Sequence, residues 1–166
     1  MTDVDFDIEN LWPYNFCLGE VQCALGVRLL ERLDTLNAER AARAKRFIEG
    51  FGDFPELVFQ ETPEGCGHAW HLLAARYDGA PWGKTRDDLM VLLSGDFGVR
   101  VVVQYCPLYR YPMFARAGLG DAECPESERF FDNMVSFPFH HWMAEDEFET
   151  MIELTQAALS RLRGEN

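Results

Sequence analysis

The chain has 166 residues, of which 48% are hydrophobic and 26% are charged, a balance typical of a folded globular protein rather than a disordered or membrane-embedded one. Its formal net charge of -13 disfavours nucleic-acid binding, because proteins gain much of that affinity from lysine and arginine contacts to phosphates. No apolar stretch approaches the ~20 residues that span a bilayer, and the acidic N-terminus does not resemble a signal peptide, so we expect a cytoplasmic protein.

The first predicted element is a long amphipathic helix from Leu18 to about Phe51. Its apolar residues recur mostly three or four positions apart, as on one face of a helix. They are Val21, Leu25, Leu29, Leu33, Leu36 and Phe47. The pattern predicts one continuous helix, or one bent near 35–38, that ends before Gly52 and Pro55.

Six further elements follow, three short strands and three helices. In chain order they are a strand at 57–60, a strand at 69–77, a helix at 86–98 with Thr85 as its N-cap, a strand at 100–105, a helix at 126–134 and a helix at 144–162. The two prolines and several aromatics at 106–120 predict an ordered loop with at most a short helix. This order predicts an α+β fold with a small antiparallel or mixed sheet covered by helices, and the length predicts a single domain over 1–166.

Three features that suggest other chemistry are set aside. The five cysteines are odd in number and include no Cys-x-x-Cys pair, which indicates reduced thiols. The segment GAPWGKT resembles a phosphate-binding loop, but it has three residues between its glycines where that motif has four. Cys66, His68 and His71 could join His140 and His141 around a metal ion. If 68–71 is extended, however, His68 and His71 point to opposite faces, so we predict no metal site.

The most informative motif is WPYNFCLGEVQCALG, from Trp12 to Gly26, an aromatic loop with an asparagine that leads into the long helix. HAWHLLAARYDG, RVVVQYCPLYRYPMF and VSFPFHHWMAEDEF follow it along the chain. This ordered set resembles the DegT/DnrJ/StrS family of sugar aminotransferases, whose small C-terminal domain begins with such a loop and a Glu-x-Gln-Ala-Ala helix. The resemblance implies that residues 10–166 form that small domain, as in fold-type I enzymes that use pyridoxal phosphate (PLP).

The resemblance also implies the cofactor. In this family a large N-terminal domain holds PLP through a lysine that forms the Schiff base. Only Lys45 and Lys84 are present in this sequence, and neither lies in a segment that resembles the family's lysine segment. We therefore assign no catalytic residue, and we expect this chain alone not to transaminate because the large domain is missing.

Asn15 is the candidate cofactor contact. In the family, the asparagine of this loop reaches across a dimer interface to the cofactor phosphate, and an amide can donate a hydrogen bond to a phosphate oxygen. The alternative is that Asn15 only turns the chain ahead of the helix. Tyr14 beside it is a candidate substrate contact. Cys17 stands where the family usually has an arginine, so a charged contact of the family is absent at that position.

The segment QYCPLYRYPMF resembles a family loop that often reads Tyr-x-Pro-Leu-His, with an imidazole near the substrate. Tyr105 keeps the tyrosine position, Tyr109 stands where the histidine is expected, and Arg110 follows, so all three are candidate substrate contacts. Tyr109 could bind a sugar hydroxyl, but an unperturbed pKa near ~10 makes it a poor proton shuttle. Packing under the loop is an equally open interpretation for Tyr109. His71 resembles the family's strand histidine, and both packing and substrate contact stay open for it.

Together these observations predict the C-terminal domain of an enzyme that transfers an amino group from glutamate or glutamine to a keto-sugar, typically nucleotide-linked, in polysaccharide or secondary-metabolite biosynthesis. The expected partners are the large PLP-binding domain or a second aminotransferase subunit, in a dimer or larger homo-oligomer, without nucleic acid or membrane. The alternative is a non-catalytic binding or regulatory module derived from that domain, which the departures at Cys17 and Tyr109 favour.

Overall fold

The structure is a computed structural model, and it describes residues 17–165. These residues fall into two compact units, one ending at Thr35 and the other beginning at Leu36. That both units belong to one domain stays a prediction. None of the helices within residues 17–165 is both long and apolar enough to span a bilayer.

The first unit contains helix α1, Glu20–Leu30. Its N-terminus is capped where the backbone N–H of Gly19 donates to Oε1 of Gln22 at 2.6 Å. No residue of α1 is buried. The large apolar side chains of α1, and that of Leu18 just before it, are more than half exposed: Leu18, Val21, Leu25, Val27, Leu29 and Leu30. The amphipathic pattern in this part of the sequence therefore does not correspond to burial within the described residues.

The predicted continuous helix is wrong at one point, because α1 ends at Leu30 and α2 begins at Leu33 and continues to Gly50. Between them the backbone N–H of Arg32 donates to the carbonyl of Leu29, a three-residue step that tightens the last turn of α1. The two linking residues, 31 and 32, are neither proline nor glycine, so the sequence carries no breaker signal there. The break also precedes the bend expected near 35–38.

The second unit contains a three-stranded antiparallel sheet in the order β1-β2-β3. Its strands are β1 at Leu57–Phe59, β2 at Leu73–Tyr77 and β3 at Met134–Phe137. The predicted α+β fold with a small antiparallel sheet is confirmed. Strand β2 is shorter than the predicted 69–77, because Trp70 adopts a φ of +48°, outside the extended region.

The third strand is not where the sequence pattern placed it. The valine-rich segment predicted as a strand at 100–105 contributes only an isolated bridge, in which Val102 exchanges backbone hydrogen bonds of 3.1 and 2.8 Å with Ser136. The actual strand, β3, follows directly after a helix. All four of its residues are buried, so it shows no alternation of polar and apolar residues by which a strand is usually recognised.

Three of the remaining helices agree with prediction to within a few residues: α3 at Arg86–Gly95, α5 at Pro125–Asn133 and α6 at Glu145–Arg163. A short helix, α4 at Pro112–Phe114, lies in the segment predicted as a loop. Thr85 caps α3 as expected, since its hydroxyl accepts from the backbone N–H of Asp88 and the Asp88 carboxylate accepts from the backbone N–H of Thr85. The predicted loop at 106–120 contains helical turns at Leu108–Arg110 and Ala115–Leu119 besides α4.

An aromatic cluster joins the helices to the sheet. Phe47 of α2 is fully buried, and its ring centroid lies 5.9 Å from Phe59 of β1, 5.0 Å from Phe137 of β3 and 6.3 Å from Phe148 of α6. Such tilted and edge-to-face pairs add stability beyond the area that they bury. Leu89 and Leu93 of α3 belong to the same core and are also fully buried.

A buried ion pair fastens the end of α6. Nε of Arg163 donates to Oε1 of Glu56 at 2.8 Å, while Nη2 donates to Oε2 of Glu56 at 2.6 Å and to the carbonyl of Asp53 at 2.9 Å. The guanidinium also lies over the rings of Phe54, at 4.6 Å, and Trp82, at 5.2 Å. The Glu56 side chain is 1% exposed, so its carboxylate is shielded from water and is compensated by the Arg163 guanidinium.

We expect Arg163→Met to lower the free energy of unfolding by about 3 kcal/mol, because it leaves the Glu56 carboxylate buried without a partner. Arg161→Met is the matched control, since Arg161 pairs with Asp96 on the surface and should contribute less than about 1 kcal/mol. Urea denaturation of both variants measures the difference. The double variant Glu56→Gln/Arg163→Met should regain part of the loss, and similar losses in the two single variants would contradict the assignment.

Ionisation of Tyr77 makes the free energy of unfolding depend on pH in the alkaline range. Burial, followed by the nearby Glu56, raises the pKa of Tyr77 from 10.0 to about 12. Because this pKa is raised in the folded state, the stabilisation is complete below pH 10.0 and is lost as the pH rises towards 12. As the pH rises through this range, the free energy of unfolding of the parent protein should fall by about 2 kcal/mol more than that of Tyr77→Phe. Denaturant titrations at several pH values measure the difference. An equal loss in both proteins would show that ionisation of Tyr77 is not the cause.

Candidate functional site

Tyr105 and Tyr109 line a cleft of about 590 Å³ between the 106–120 segment and α5. Tyr105 is 63% exposed, whereas Tyr109 is only partly exposed. The lining residues are Tyr105, Pro107, Leu108, Tyr109, Glu126, Ser127, Phe130 and Phe131. Aromatic faces with a few hydroxyl and carboxylate groups suit a ligand that has both an apolar face and hydroxyl groups.

Arg110 holds one wall of this cleft to the other. Its Nε donates to Oε1 of Glu128 at 3.1 Å, its Nη1 lies 3.6 Å from Oδ1 of Asp132, and its guanidinium lies 4.9 Å from the centre of the Phe131 ring. Arg110 does not itself line the cleft. It therefore positions the Tyr109 turn against α5 rather than offering a free charge to a ligand.

A second arginine holds the C-terminal end of α5. Nη1 of Arg86 donates to the carbonyl of Phe131 at 3.1 Å and to the carbonyl of Met134 at 3.2 Å. Carbonyls at a helix C-terminus lack partners within the helix, so a guanidinium there both satisfies them and fixes the helix end. The Phe130 and Phe131 rings consequently belong to a firmly placed wall of the cleft.

The Tyr109 hydroxyl is buried and has no hydrogen-bond partner among residues 17–165. Burial raises the pKa of Tyr109 above its usual value, with the nearby Cys124 adding to the shift. The phenol is therefore protonated at neutral pH and can donate a hydrogen bond, but it cannot act as a general base. This chemistry differs from that of the imidazole that the family loop often carries at this position.

The other sequence-based candidates lie elsewhere. Tyr14 and Asn15 are outside the described residues. His71 is exposed in the bend before β2, does not line the cleft, and contributes its backbone carbonyl to Nη2 of Arg40 at 2.9 Å. The structure thus brings Tyr105, Tyr109 and Arg110 together and leaves His71 apart from them.

Sequence reasoning missed the α5 side of the cleft. The sequence predicted that this segment is a helix, but not that one of its faces lines the cleft opposite the tyrosines. The residues of that face are Glu126, Ser127, Phe130 and Phe131. Their spacing at i, i+1, i+4 and i+5 is a signal for one helical face, and Phe130 is 45% exposed. That signal could have marked a surface-facing aromatic wall, but not the loop against which it would pack.

The described residues do not fit a PLP anchor. Lys45 is exposed and lies 3.7 Å from Glu49, and Lys84 is exposed in a groove that also contains Asp87, Asp88 and Asp96. Both amines therefore lie at the surface beside carboxylates, whereas a lysine that forms a Schiff base is typically desolvated in an apolar pocket or placed next to another cation. Within 17–165 there is also no group of three or more His, Cys, Asp or Glu side chains that could hold a metal ion.

Comparison with known proteins identifies relatives along nearly the whole chain. The model of the DegT/DnrJ/EryC1/StrS aminotransferase family matches residues 4–156. The spore coat polysaccharide biosynthesis protein SpsC of Bacillus subtilis (strain 168) is 26% identical over 141 residues, which are 84% of this chain and 36% of that protein.

Solved structures share the fold at lower identity. PseC of Helicobacter pylori, an aminotransferase involved in the biosynthesis of pseudoaminic acid, superposes with a TM-score of 0.74 at 20% identity and covers 89% of this chain and 39% of its own. The aminotransferase TlmJ of Streptoalloteichus hindustanus superposes with a TM-score of 0.72 at 24% identity, and the match covers 86% of this chain and 37% of TlmJ. This chain thus spans little more than a third of its relatives' length. Because the family model covers residues 4–156, the chain belongs to the DegT/DnrJ/EryC1/StrS aminotransferase family.

Proposed function

We propose that this chain is the small C-terminal domain of a PLP-dependent sugar aminotransferase. The observation that carries the proposal is the family match over residues 4–156 in a chain that spans 36% of its curated relative. The reaction proposed is transfer of an amino group from glutamate or glutamine to a keto-sugar, typically nucleotide-linked, in the cytoplasm. The lysine and most of the PLP site would come from a large domain outside these 166 residues, on the same polypeptide or another.

In this proposal the described residues bind and orient substrate and carry no covalent step. A sugar ring would stack on Tyr105 and Phe130 at the mouth of the cleft, where both rings are exposed. The Tyr109 hydroxyl, buried without a partner, would donate a hydrogen bond to a ring hydroxyl. Arg110 would be a positioning residue that acts through Glu128. Asn15 is proposed to contact the cofactor phosphate bound by a partner subunit.

The partner surface proposed is an apolar stripe defined by Val21, Leu25 and Leu29 of α1 together with Leu18 just before the helix. The three helical residues recur at i, i+4 and i+8, so they share one face of α1, and all four residues are more than half exposed. The occupant that we propose is the large domain, because nearly two thirds of the relatives' length lies outside this chain. Exposed apolar surface of this kind typically marks an interface.

We expect Leu25→Glu to weaken association with the large domain at least tenfold, because it would bury an unpaired charge in the proposed interface. The large domain can be one encoded beside this chain or the corresponding part of a relative, and calorimetric titration measures the affinity. Val27→Glu is the matched control, since two residues turn the helix by about 200° and place the same new charge away from the stripe. If both variants weakened association equally, the stripe would not be the part of the surface that binds the large domain.

Mixing this chain with the large domain and PLP should give the absorbance of an internal aldimine and amino transfer to the keto-sugar, whereas this chain alone should give neither. In the active mixture we expect Tyr105→Ala to raise KM for the keto-sugar about tenfold with little change in kcat, because a lost stacking contact is worth about 1–1.5 kcal/mol in both ground and transition states. Tyr111→Ala is the control, since Tyr111 lies in the same segment but does not line the cleft.

The result that separates the two functional hypotheses is turnover. A complex that forms through α1 but gives no amino transfer would favour the non-catalytic regulatory module. Turnover by this chain alone would show that Lys45 or Lys84 can serve as the Schiff-base lysine, contrary to their charged and exposed surroundings.

A further inference from the structure

A second cleft, of about 460 Å³, lies between the segment that follows α3, the loop after β3, and the first turns of α6. It is lined by Gly98, Val99, Arg100, Pro138, His140, Met143, Asp146, Glu147, Thr150, Met151 and Leu154. None of these residues lines the Tyr105 cleft. The volume falls within the range of about 300–1,000 Å³ that is usual for small-molecule sites.

The loop that forms one wall is held in a fixed position. Arg43 of α2 donates through Nη1 to the carbonyl of His140 at 3.2 Å and through Nη2 to the carbonyl of Met143 at 2.8 Å. The His140 ring stacks on Trp142 with centroids 4.6 Å apart. Nδ1 of His140 is buried and has no hydrogen-bond partner among residues 17–165. A buried polar atom without a partner in a cleft wall is a natural contact for a polar ligand atom.

The opposite charges in this cleft do not neutralise each other. The Arg100 side chain is exposed and makes no ion pair or hydrogen bond with residues 17–165. Asp146 accepts a hydrogen bond from the backbone N–H of Glu147, at 3.0 Å, and the Glu147 carboxylate accepts one from the backbone N–H of Ala144, at 3.1 Å. Among the described residues the cleft therefore presents a cation without an ion pair on one element and two carboxylates without an ion pair on another.

Between these charges the surface is apolar. Val99, Met143 and Met151 are each 9% exposed or less, and Leu154 is partly buried beside them. A ligand that matches all three features has a carboxylate for Arg100, an ammonium for the acidic residues and an apolar group for the methionines and leucine. Such a ligand is a zwitterion with a hydrophobic side chain, which can form charge-assisted hydrogen bonds through both of its charged groups.

We propose that this second cleft binds a free α-amino acid with a medium-sized apolar side chain, such as leucine or methionine. Arg100 binds the carboxylate, Asp146 and Glu147 bind the ammonium, and the side chain lies on Met143, Met151 and Leu154. His140 and Thr150 supply the remaining hydrogen bonds. The inference does not depend on the sugar aminotransferase proposal, because it uses no residue of the Tyr105 cleft or of the α1 stripe.

The first experiment titrates the isotope-labelled chain with L-leucine and follows backbone amide shifts by NMR. We expect saturable shifts at 98–100, 138–143 and 146–154. Two analogues of nearly equal size act as comparators: 4-methylpentanoate lacks the ammonium and isoamylamine lacks the carboxylate. Each should bind at least tenfold more weakly than leucine, and glycine, which lacks the apolar group, should also bind more weakly. Absence of saturable shifts, or equal binding of the single-charge analogues, would overturn the proposal.

The second experiment removes the charges one at a time. Arg100→Gln and Asp146→Asn should each weaken leucine binding at least tenfold while leaving the unfolding midpoint nearly unchanged. Neither residue forms an ion pair within residues 17–165, and the amide oxygen of asparagine can still accept the hydrogen bond from the Glu147 backbone N–H. Arg116→Gln and Asp121→Asn make the same charge changes at exposed positions outside the cleft and should leave leucine binding unchanged. Weakening by these controls to the same extent would show only a general charge effect and would contradict the assigned site.

Discussion

The packing of Phe47 is the constraint on which the second unit depends. Its fully buried ring contacts aromatic rings from β1, β3 and α6, as well as Phe51 just after its own helix, with centroids 4.7 Å apart in that last pair. This contact sets the rotation of α2, and two arginines lie four and seven residues earlier on the same face. The aromatic core therefore also decides where those guanidinium groups can reach.

Four arginines of this acidic protein hold backbone carbonyls. Arg40 binds the carbonyl of Trp70, Arg43 binds two in the loop after β3, Arg86 binds two at the end of α5, and Arg163 binds that of Asp53. Each bond joins segments that are far apart in the sequence, and a planar guanidinium with five donors suits two acceptors at once. Both clefts have a wall placed by such a contact: α5 by Arg86, and the His140 loop by Arg43.

The sequence predicts the elements whose pattern is local. Thr85 begins a capped helix, and the stripe of α6 with Phe148, Ile152 and Leu159 buried follows the helical period. The errors arise where tertiary contacts override local preference. Strand β3 is buried on both faces and therefore shows no alternation, while the β-branched run around Val102 gains only one bridge. Trp70 leaves the extended region in a segment whose carbonyls Arg40 binds, a contact 30 residues away in the chain.

For the Tyr105 cleft, the resemblance to a known loop marked the tyrosines, but not the helix that faces them. The pairing of that loop with Phe130 and Phe131 depends on the long-range contact of Arg110 with Glu128, which no local pattern encodes. The second cleft was missed for the same reason. Its charges lie on segments almost fifty residues apart, Arg100 after α3 and Asp146 in α6, and appear in the sequence as ordinary surface residues.

The exposure of α1 limits how stable this helix is by itself. An isolated helix of 11 residues without buried side chains is only marginally favourable in water, because few hydrogen bonds offset the cost of nucleating it. If the large domain covers this helix as proposed, part of the binding energy is consumed in fixing its backbone. Chains that lack that domain would then present a frayed, protease-sensitive segment.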